Sequence, residues 1–262
     1  MPTVLPVDDA VGWPPDEGVI GVVGVAPWAT LDFLRALYRM VPARKDWHYP
    51  RVLCDINCKL PSRGRHLELG ERDPSPFIAE TIGELAAMGA TVVVVPCNTA
   101  HILYDRWALN APVAVPSIVD ATVTAIRAQG ARRIAVFASE AIACRDLYGK
   151  ALRAAGLEPV KMDAKGQALV SMAIAEVKVR SELSADILHR IDDLLQQLTS
   201  GGMDGAILGC TELAGLEARC RELFGAVAES NAALAVAALQ AARVGYLATS
   251  AASVHSGILG DS

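Results

Sequence analysis

The sequence predicts an α/β fold of two similar lobes, each a parallel sheet flanked by helices, with the functional site in the cleft between them. Three observations carry that expectation. Short apolar runs rich in Val and Ile alternate along the chain with longer segments of helical period, the pattern of strands buried on both faces by crossover helices. Two of the helical segments close on glycines, Gly89 and Gly130, whose missing side chain suits a helix C-terminus. The rhythm also repeats, since each half carries a strongly apolar strand that ends in a cysteine followed by small polar residues.

Taken in order, "GVIGVVGVAP" reads as a first strand running into a Gly/Pro loop, and a helix is expected from about Ala29 to Met40. "RVLCDIN" is a second strand, followed by a polar loop reaching about Pro76; a loop that long in a compact domain is usually functional or mobile. "FIAETIGELAAMG" is an amphipathic helix, "ATVVVVPCNTAH" a strand with its polar end, and "APVAVPS" a short strand. The second half restarts with the helix "SIVDATVTAIRAQG", the strand "RRIAVFAS", a helix through "AIACRDLYGKALRAAG" and the strand "LEPVKM". Two helices fill 165–200, "DGAILGCTEL" is the next strand, and "NAALAVAALQAARVGYLA" is a long Ala-rich helix. The lobes are expected at 18–117 and 118–228, with the final helix, 229–248, packing back on the first and flexible ends at 1–17 and 249–262.

Composition narrows the function. The 262 residues are 52% hydrophobic and 20% charged, with a mean hydropathy of +0.32, so a buried core is expected and disorder is not. No apolar run approaches the roughly 20 residues that a spanning helix needs. The net charge is −5 and the basic residues are scattered, which argues against a nucleic-acid surface. The N-terminal stretch has acidic residues and prolines and no basic n-region, so a secretory signal is not expected and the cytoplasm is the default. Six cysteines do not suggest a disulfide framework and leave room for working thiols.

Cys97 and Cys210 both fall at strand ends, and in open α/β sheets ligands bind beyond the C-terminal ends of the strands. A helix starting near either cysteine would favour a thiolate through its free N–H groups. Two such thiols facing each other across a cleft can invert a stereocentre, one removing a proton while the other returns one from the opposite face. A lone cysteine after a valine run is more often inert core. Two cysteines in matching contexts, followed by Asn98-Thr99 and Thr211-Glu212, favour the chemical reading, because packing does not call for polar residues there.

"PCNTAH" and "GCTEL" together resemble the paired motifs of the aspartate/glutamate racemase family, in its aspartate racemase branch. "GVVGVAPWAT" looks like that family's first-strand loop, "NCKLPSR" like its arginine segment and "AEVK" like its lysine segment; the resemblance spans roughly residues 18 to 245. It implies a racemase that uses Cys97 and Cys210 as acid/base thiols without pyridoxal phosphate or metal. Asn98, Thr99 and Thr211 would bind the substrate's α-carboxylate and amino group, and Arg63 and Lys178 a substrate carboxylate. His101 and Glu212 would orient or polarise the thiols, with His101 alternatively facing the following helix. Arg145 and Tyr148 would stand behind the residues that touch the substrate, with Arg145 able to compensate for a lost side-chain donor. The resemblance also implies an acidic or related amino acid as substrate and a homodimer.

The sequence departs from the family pattern at three places. The first loop is one residue shorter with fewer glycines, and Ser62 and Gly64 flank Arg63 where an acidic residue and threonine are usual. "ASEAI" places Ala141 and Ile142 where glycine and threonine are usual. These changes bear on the side-chain pocket and put aspartate itself in question. Rival readings are a hydantoin racemase, maleate isomerase or arylmalonate decarboxylase within the superfamily, and a non-catalytic binding protein. A dinucleotide oxidoreductase built on Gly18, Gly21, Gly24 and Asp55 has the wrong glycine spacing. A metal at Cys54, Cys58 and His66 lacks a second ligand pair.

Overall fold

The computed structural model describes residues 16–246; most of the two ends expected to be flexible, and the last two residues of the expected final helix, lie outside them. The first half contains β1 (Ile20–Gly24), α1 (Pro27–Arg39), β2 (Val52–Ile56), α2 (Arg63–Leu69), α3 (Ser75–Ala87), β3 (Val92–Val94) and α4 (Tyr104–Ala108). Its strands form a parallel sheet in the order β2-β1-β3, with Ile20 level with Val52 on one side and Val92 on the other. The second half contains α5 (Ile118–Ala128), β4 (Arg133–Phe137), α6 (Glu140–Cys144), α7 (Leu147–Ala154), β5 (Glu158–Val160), α8 (Ala164–Arg180) and α9 (Ala185–Ser200). It continues through β6 (Gly205–Leu208), α10 (Glu217–Leu223), β7 (Ala226–Glu229) and α11 (Ser230–Ala241). Its parallel sheet runs β5-β4-β6-β7. Parallel strands buried by helices on both faces are what the Val- and Ile-rich runs require.

Four local features differ from the sequence expectation. The polar loop after β2 contains the helix α2, capped by the Ser62 hydroxyl, which accepts from the Arg65 N–H, and closed by Gly70 at φ 68°. Arg63 is therefore the first residue of a helix. "APVAVPS" contributes only a parallel bridge between Val92 and Ala114, because Pro112 and Pro116 have no N–H to extend a ladder. The single helix expected over "AIACRDLYGKALRAAG" is two helices, α6 and α7, broken at Asp146, which adopts φ 54°. Finally, "AVAE" forms β7, an edge strand whose Glu229 lies level with Leu208 of β6.

The core has three parts. The outer face of the first sheet packs on α3 and α4 through Val93, Ile78, Ile82 and Trp107. The outer face of the second packs on α8, α9 and α10 through Phe137, Leu208, Val170 and Leu195. Between the sheets one continuous apolar cluster joins Ile20, Phe33 and Leu37 to Ile118, Ile134 and Ile207, with Leu234, Ala235, Ala238 and Leu239 of α11 inside it. Past its polar first turn α11 carries Gln240 as its one polar residue, which fits that position: it touches α1 and α5.

Candidate active site

β3 and β6 end in the two cysteines, and the chain after each enters a short 3-10 turn, Ala100–Leu103 and Thr211–Leu216. Neither cysteine caps an α-helix directly, because α4 and α10 start only after those turns. Cys97 is half-buried and Cys210 is buried.

The Cys97–Asn98 turn is held from three directions by buried groups. His101 donates from Nδ1 to the Cys97 carbonyl at 2.9 Å and accepts at Nε2 from the Ile118 N–H at 3.2 Å, at the start of α5. Those partners fix its tautomer, and burial pushes its pKa down to about 4, so it is a neutral bracket. It also stacks on Tyr104. His101 thus holds the backbone of the turn and faces the following helix, with no bond to a thiol. Asn98 donates from Nδ2 to the Ser230 hydroxyl at 3.0 Å and accepts at Oδ1 from the Tyr148 hydroxyl at 2.5 Å. Tyr148 also lies 3.4 Å from the Thr122 hydroxyl; burial pushes its pKa up, which keeps it a donor. Thr99 is half-buried, and among the described residues its hydroxyl has no partner.

Tyr148 also touches the other strand end. A Cβ built on Gly209, the residue before Cys210, would stand 2.6 Å from the Tyr148 ring, so only glycine admits the ring there. One buried tyrosine therefore meets both motifs, through its hydroxyl at Asn98 and its ring at Gly209.

At the second motif the Cys210 thiol donates to Glu212 Oε2 at 2.9 Å, and the buried Thr211 hydroxyl donates to the same oxygen at 3.3 Å. The expectation of a favoured thiolate is overturned at Cys210. Burial, then the Glu212 charge and its hydrogen bond, push the pKa well up, and Lys178 offsets this only in part. Lys178 is 58% exposed with Nζ 4.0 Å from Glu212 Oε1, a separation and exposure at which an ion pair contributes little.

The remaining predicted residues are placed as braces. Arg63 donates from Nη2 to the Val25 carbonyl at 3.0 Å and from Nη1 to Pro61 at 3.2 Å, while its Nε is buried without a partner. This fixes the start of α2 against the loop after β1. Arg145 donates to the Leu67 carbonyl at 2.6 Å, joining the end of α6 to α2. Ala141 and Ile142, expected to shape the substrate pocket, are buried, and Ile142 belongs to the central apolar cluster. Cys54 and Cys58 are exposed, and among the described residues no group of His, Cys, Asp or Glu is arranged to hold a metal. No described helix is long and apolar enough to cross a membrane.

Glu229, Ser230, Asn231 and Thr122 are all buried and were not singled out from sequence. A polar trio heading an otherwise apolar helix was the available signal, since side-chain caps concentrate at helix starts. Their link to Asn98 spans more than a hundred residues and has no local trace.

Known proteins resemble the chain in sequence and in fold. Among relatives, a broad specificity amino-acid racemase, RacX, of Bacillus subtilis is 25% identical over 200 residues, covering 74% of this chain and 86% of the relative. A glutamate racemase of Shewanella baltica is 25% identical over 199 residues, covering 70% and 71%. Among solved structures, the aspartate racemase of Picrophilus torridus superposes with a TM-score of 0.74 at 22% identity, covering 86% of this chain and 94% of that one. An aspartate racemase homologue from Pyrococcus horikoshii gives 0.70 at 21%, covering 86% and 99%. The model of the Asp/Glu/Hydantoin racemase family matches residues 20–239, and the chain belongs to that family.

Proposed function

We propose that the protein is a cofactor-independent racemase of an acidic or related amino acid, with Cys97 and Cys210 moving the α-proton on opposite faces of the substrate. The observation that carries this reading is the common tyrosine: Tyr148 bonds Asn98 beside Cys97 and packs on Gly209 beside Cys210. It gathers the ends of two separate sheets around one point. The family and the racemase names of the similar proteins support the reaction class.

A two-base inversion requires the two thiols to start in different states. Cys210, hydrogen-bonded to the Glu212 carboxylate, is the proton donor, and Cys97 begins as the base. Removal of the α-proton by Cys97 leaves charge that spreads into the substrate carboxylate, where the Thr99 hydroxyl and the second Asn98 amide hydrogen offset it as an oxyanion hole does, joined by Thr211 when its hydroxyl turns from Glu212 to the substrate. Cys210 then protonates the opposite face, and the reverse reaction exchanges the roles. Arg63 and Lys178 are the cations that would meet a side-chain carboxylate.

The test is α-proton exchange in D₂O across a panel of L- and D-amino acids led by aspartate and glutamate, followed by NMR. Loss of the α-proton signal in the native protein, abolished or made one-sided in Cys97→Ser and Cys210→Ser, is the expected result. Absence of exchange across the whole panel would overturn the reading and direct the search to hydantoins and unsaturated diacids.

A further inference from the structure

The first turn of α11 adjoins both cysteine-bearing strand ends. Through β7, Glu229 lies level with Leu208, two residues before Cys210. The next residue, Ser230, is fully buried and accepts the Asn98 amide beside Cys97. The third, Asn231, is fully buried with its Nδ2 3.5 Å from the Ala29 carbonyl of α1, just past the loop that Arg63 braces. Three consecutive residues thus reach the Cys210 strand, the Cys97 turn and the first turn of α1.

The turn is also built at a cost that packing alone would avoid. Glu229 wraps back so that Oε1 accepts from the Asn231 N–H and Oε2 from the Ala232 N–H, each at 2.8 Å. Serine, threonine, asparagine or aspartate usually caps a helix from this position. A buried glutamate is expensive, and burial pushes its pKa up to about 7. What the device achieves is a rigid first turn, with Ser230 held between the cap and the two N–H groups it engages. Asn231 Oδ1 is buried without a partner, but the Glu229 and Ser230 ties are made, and made buried hydrogen bonds specify one arrangement where an apolar contact allows several.

We propose that Ser230, fixed by the Glu229 cap, is a positioning residue that sets where the Cys97–Asn98 turn stands relative to the Cys210 strand end. The first turn of α11 is then part of the catalytic apparatus. The inference rests on the two-thiol reading for its catalytic meaning, but the tie itself is tested without substrate.

The experiment compares Ser230→Ala, Ser230→Thr, Asn98→Ala and the Asn98→Ala/Ser230→Ala double variant. Two rates are followed, iodoacetamide alkylation of each cysteine read by peptide mass spectrometry and α-proton exchange in D₂O. Ser230→Ala leaves the Asn98 amide without an acceptor, so Cys97 alkylation rises about threefold or more while that of Cys210 stays within about twofold, and kcat falls about tenfold with KM little changed. Ser230→Thr, which keeps the hydroxyl, recovers most of the loss. Because the tie runs through Asn98, Ser230→Ala adds less than about twofold in the Asn98→Ala background. Equal effects of Ser230→Ala in both backgrounds, or none in the native one, overturn the proposal. If Ser230→Ala does not fold, folded Asn98→Ala with unchanged Cys97 alkylation overturns it equally. A native protein that exchanges no α-proton sinks the racemase reading, while the alkylation arm still decides the tie.

Discussion

The two cysteine ends have similar sequences and opposite surroundings. Around Cys97 every tie is neutral: a histidine held uncharged, an asparagine amide, a tyrosine and a serine hydroxyl. Around Cys210 the dominant partner is a carboxylate, with a lysine reaching it only from the exposed side. The first environment fixes a backbone turn, and the second fixes a proton. A two-base inversion needs both, because the thiols must start in different protonation states and each turnover leaves those states exchanged. Near-duplicate motifs do not imply near-duplicate roles.

The sharpest way to break the contrast is to remove each thiol in turn. Cys97→Ser and Cys210→Ser are each expected to lower racemisation by about a thousandfold, within the span of general acid–base effects, measured by circular dichroism of the interconverting enantiomers. If either variant keeps more than about a tenth of the native rate, the pairing of the two thiols is wrong.

Removing the charge at the second end comes next. Glu212→Gln retains an acceptor for the Cys210 thiol but deletes the carboxylate that raises its pKa. The pH profile of Cys210 alkylation should move to lower pH, that of Cys97 should stay, and racemisation should fall by about a hundredfold. A profile that does not move would show that burial alone sets the protonation of Cys210.

Gly209→Ala tests the shared tyrosine. The new methyl would stand well inside contact distance of the Tyr148 ring, and overpacking of this kind costs about 1–3 kcal/mol. Activity should drop more than stability accounts for, and Tyr148→Phe should reproduce the activity loss with the ring still in place. Native activity in Gly209→Ala would remove the tyrosine as the common element of the two ends.

The smallest effect is on stability at the first end. The folded protein keeps His101 neutral, with its pKa lowered from 6.5 to about 4. At this site the unfolded chain therefore binds more protons between those values, and the His101 contribution to stability is complete above pH 6.5 and declines as pH falls toward 4. The full loss is on the order of 3 kcal/mol. Glu229, with its pKa raised to about 7, acts in the opposite direction over the same range, so the His101 contribution is read as the urea-midpoint advantage of the native protein over His101→Gln, which should shrink from pH 7 to pH 5. Equal pH dependence in both would place the titrating group elsewhere.

Much of this architecture is readable from local pattern. The valine runs, the glycines after helices and the two cysteine ends each follow from short-range chemistry, and the structure realises them. The hidden parts depend on distant contacts or on single backbone choices. In "CRDLYG" the one local hint is Asp146, a residue type that tolerates positive φ, and an aspartate inside a helical pattern is too common to announce the break at φ 54°. That break turns Tyr148 onto Asn98. "AVAE" is too short and alanine-rich to read as a strand until β6 pairs with it. The raised pKa of Cys210 follows from burial beside Glu212, and burial is a property of the fold. In contrast, α2 was signalled by Ser62 before it and Gly70 after it, and was obscured only by the charged residues between them.

The placement of α11 has a consequence for the order in which the molecule is made. Phe33 and Leu37 of α1 are fully buried in the central cluster beside Leu234 and Leu239. Everything needed for the first sheet is synthesised before residue 100, yet one wall of its core belongs to the last described helix. A nascent chain carrying only the first half would expose an apolar face, which favours chaperone capture or aggregation during synthesis. The first sheet to be translated is then among the last parts of the molecule to be finished.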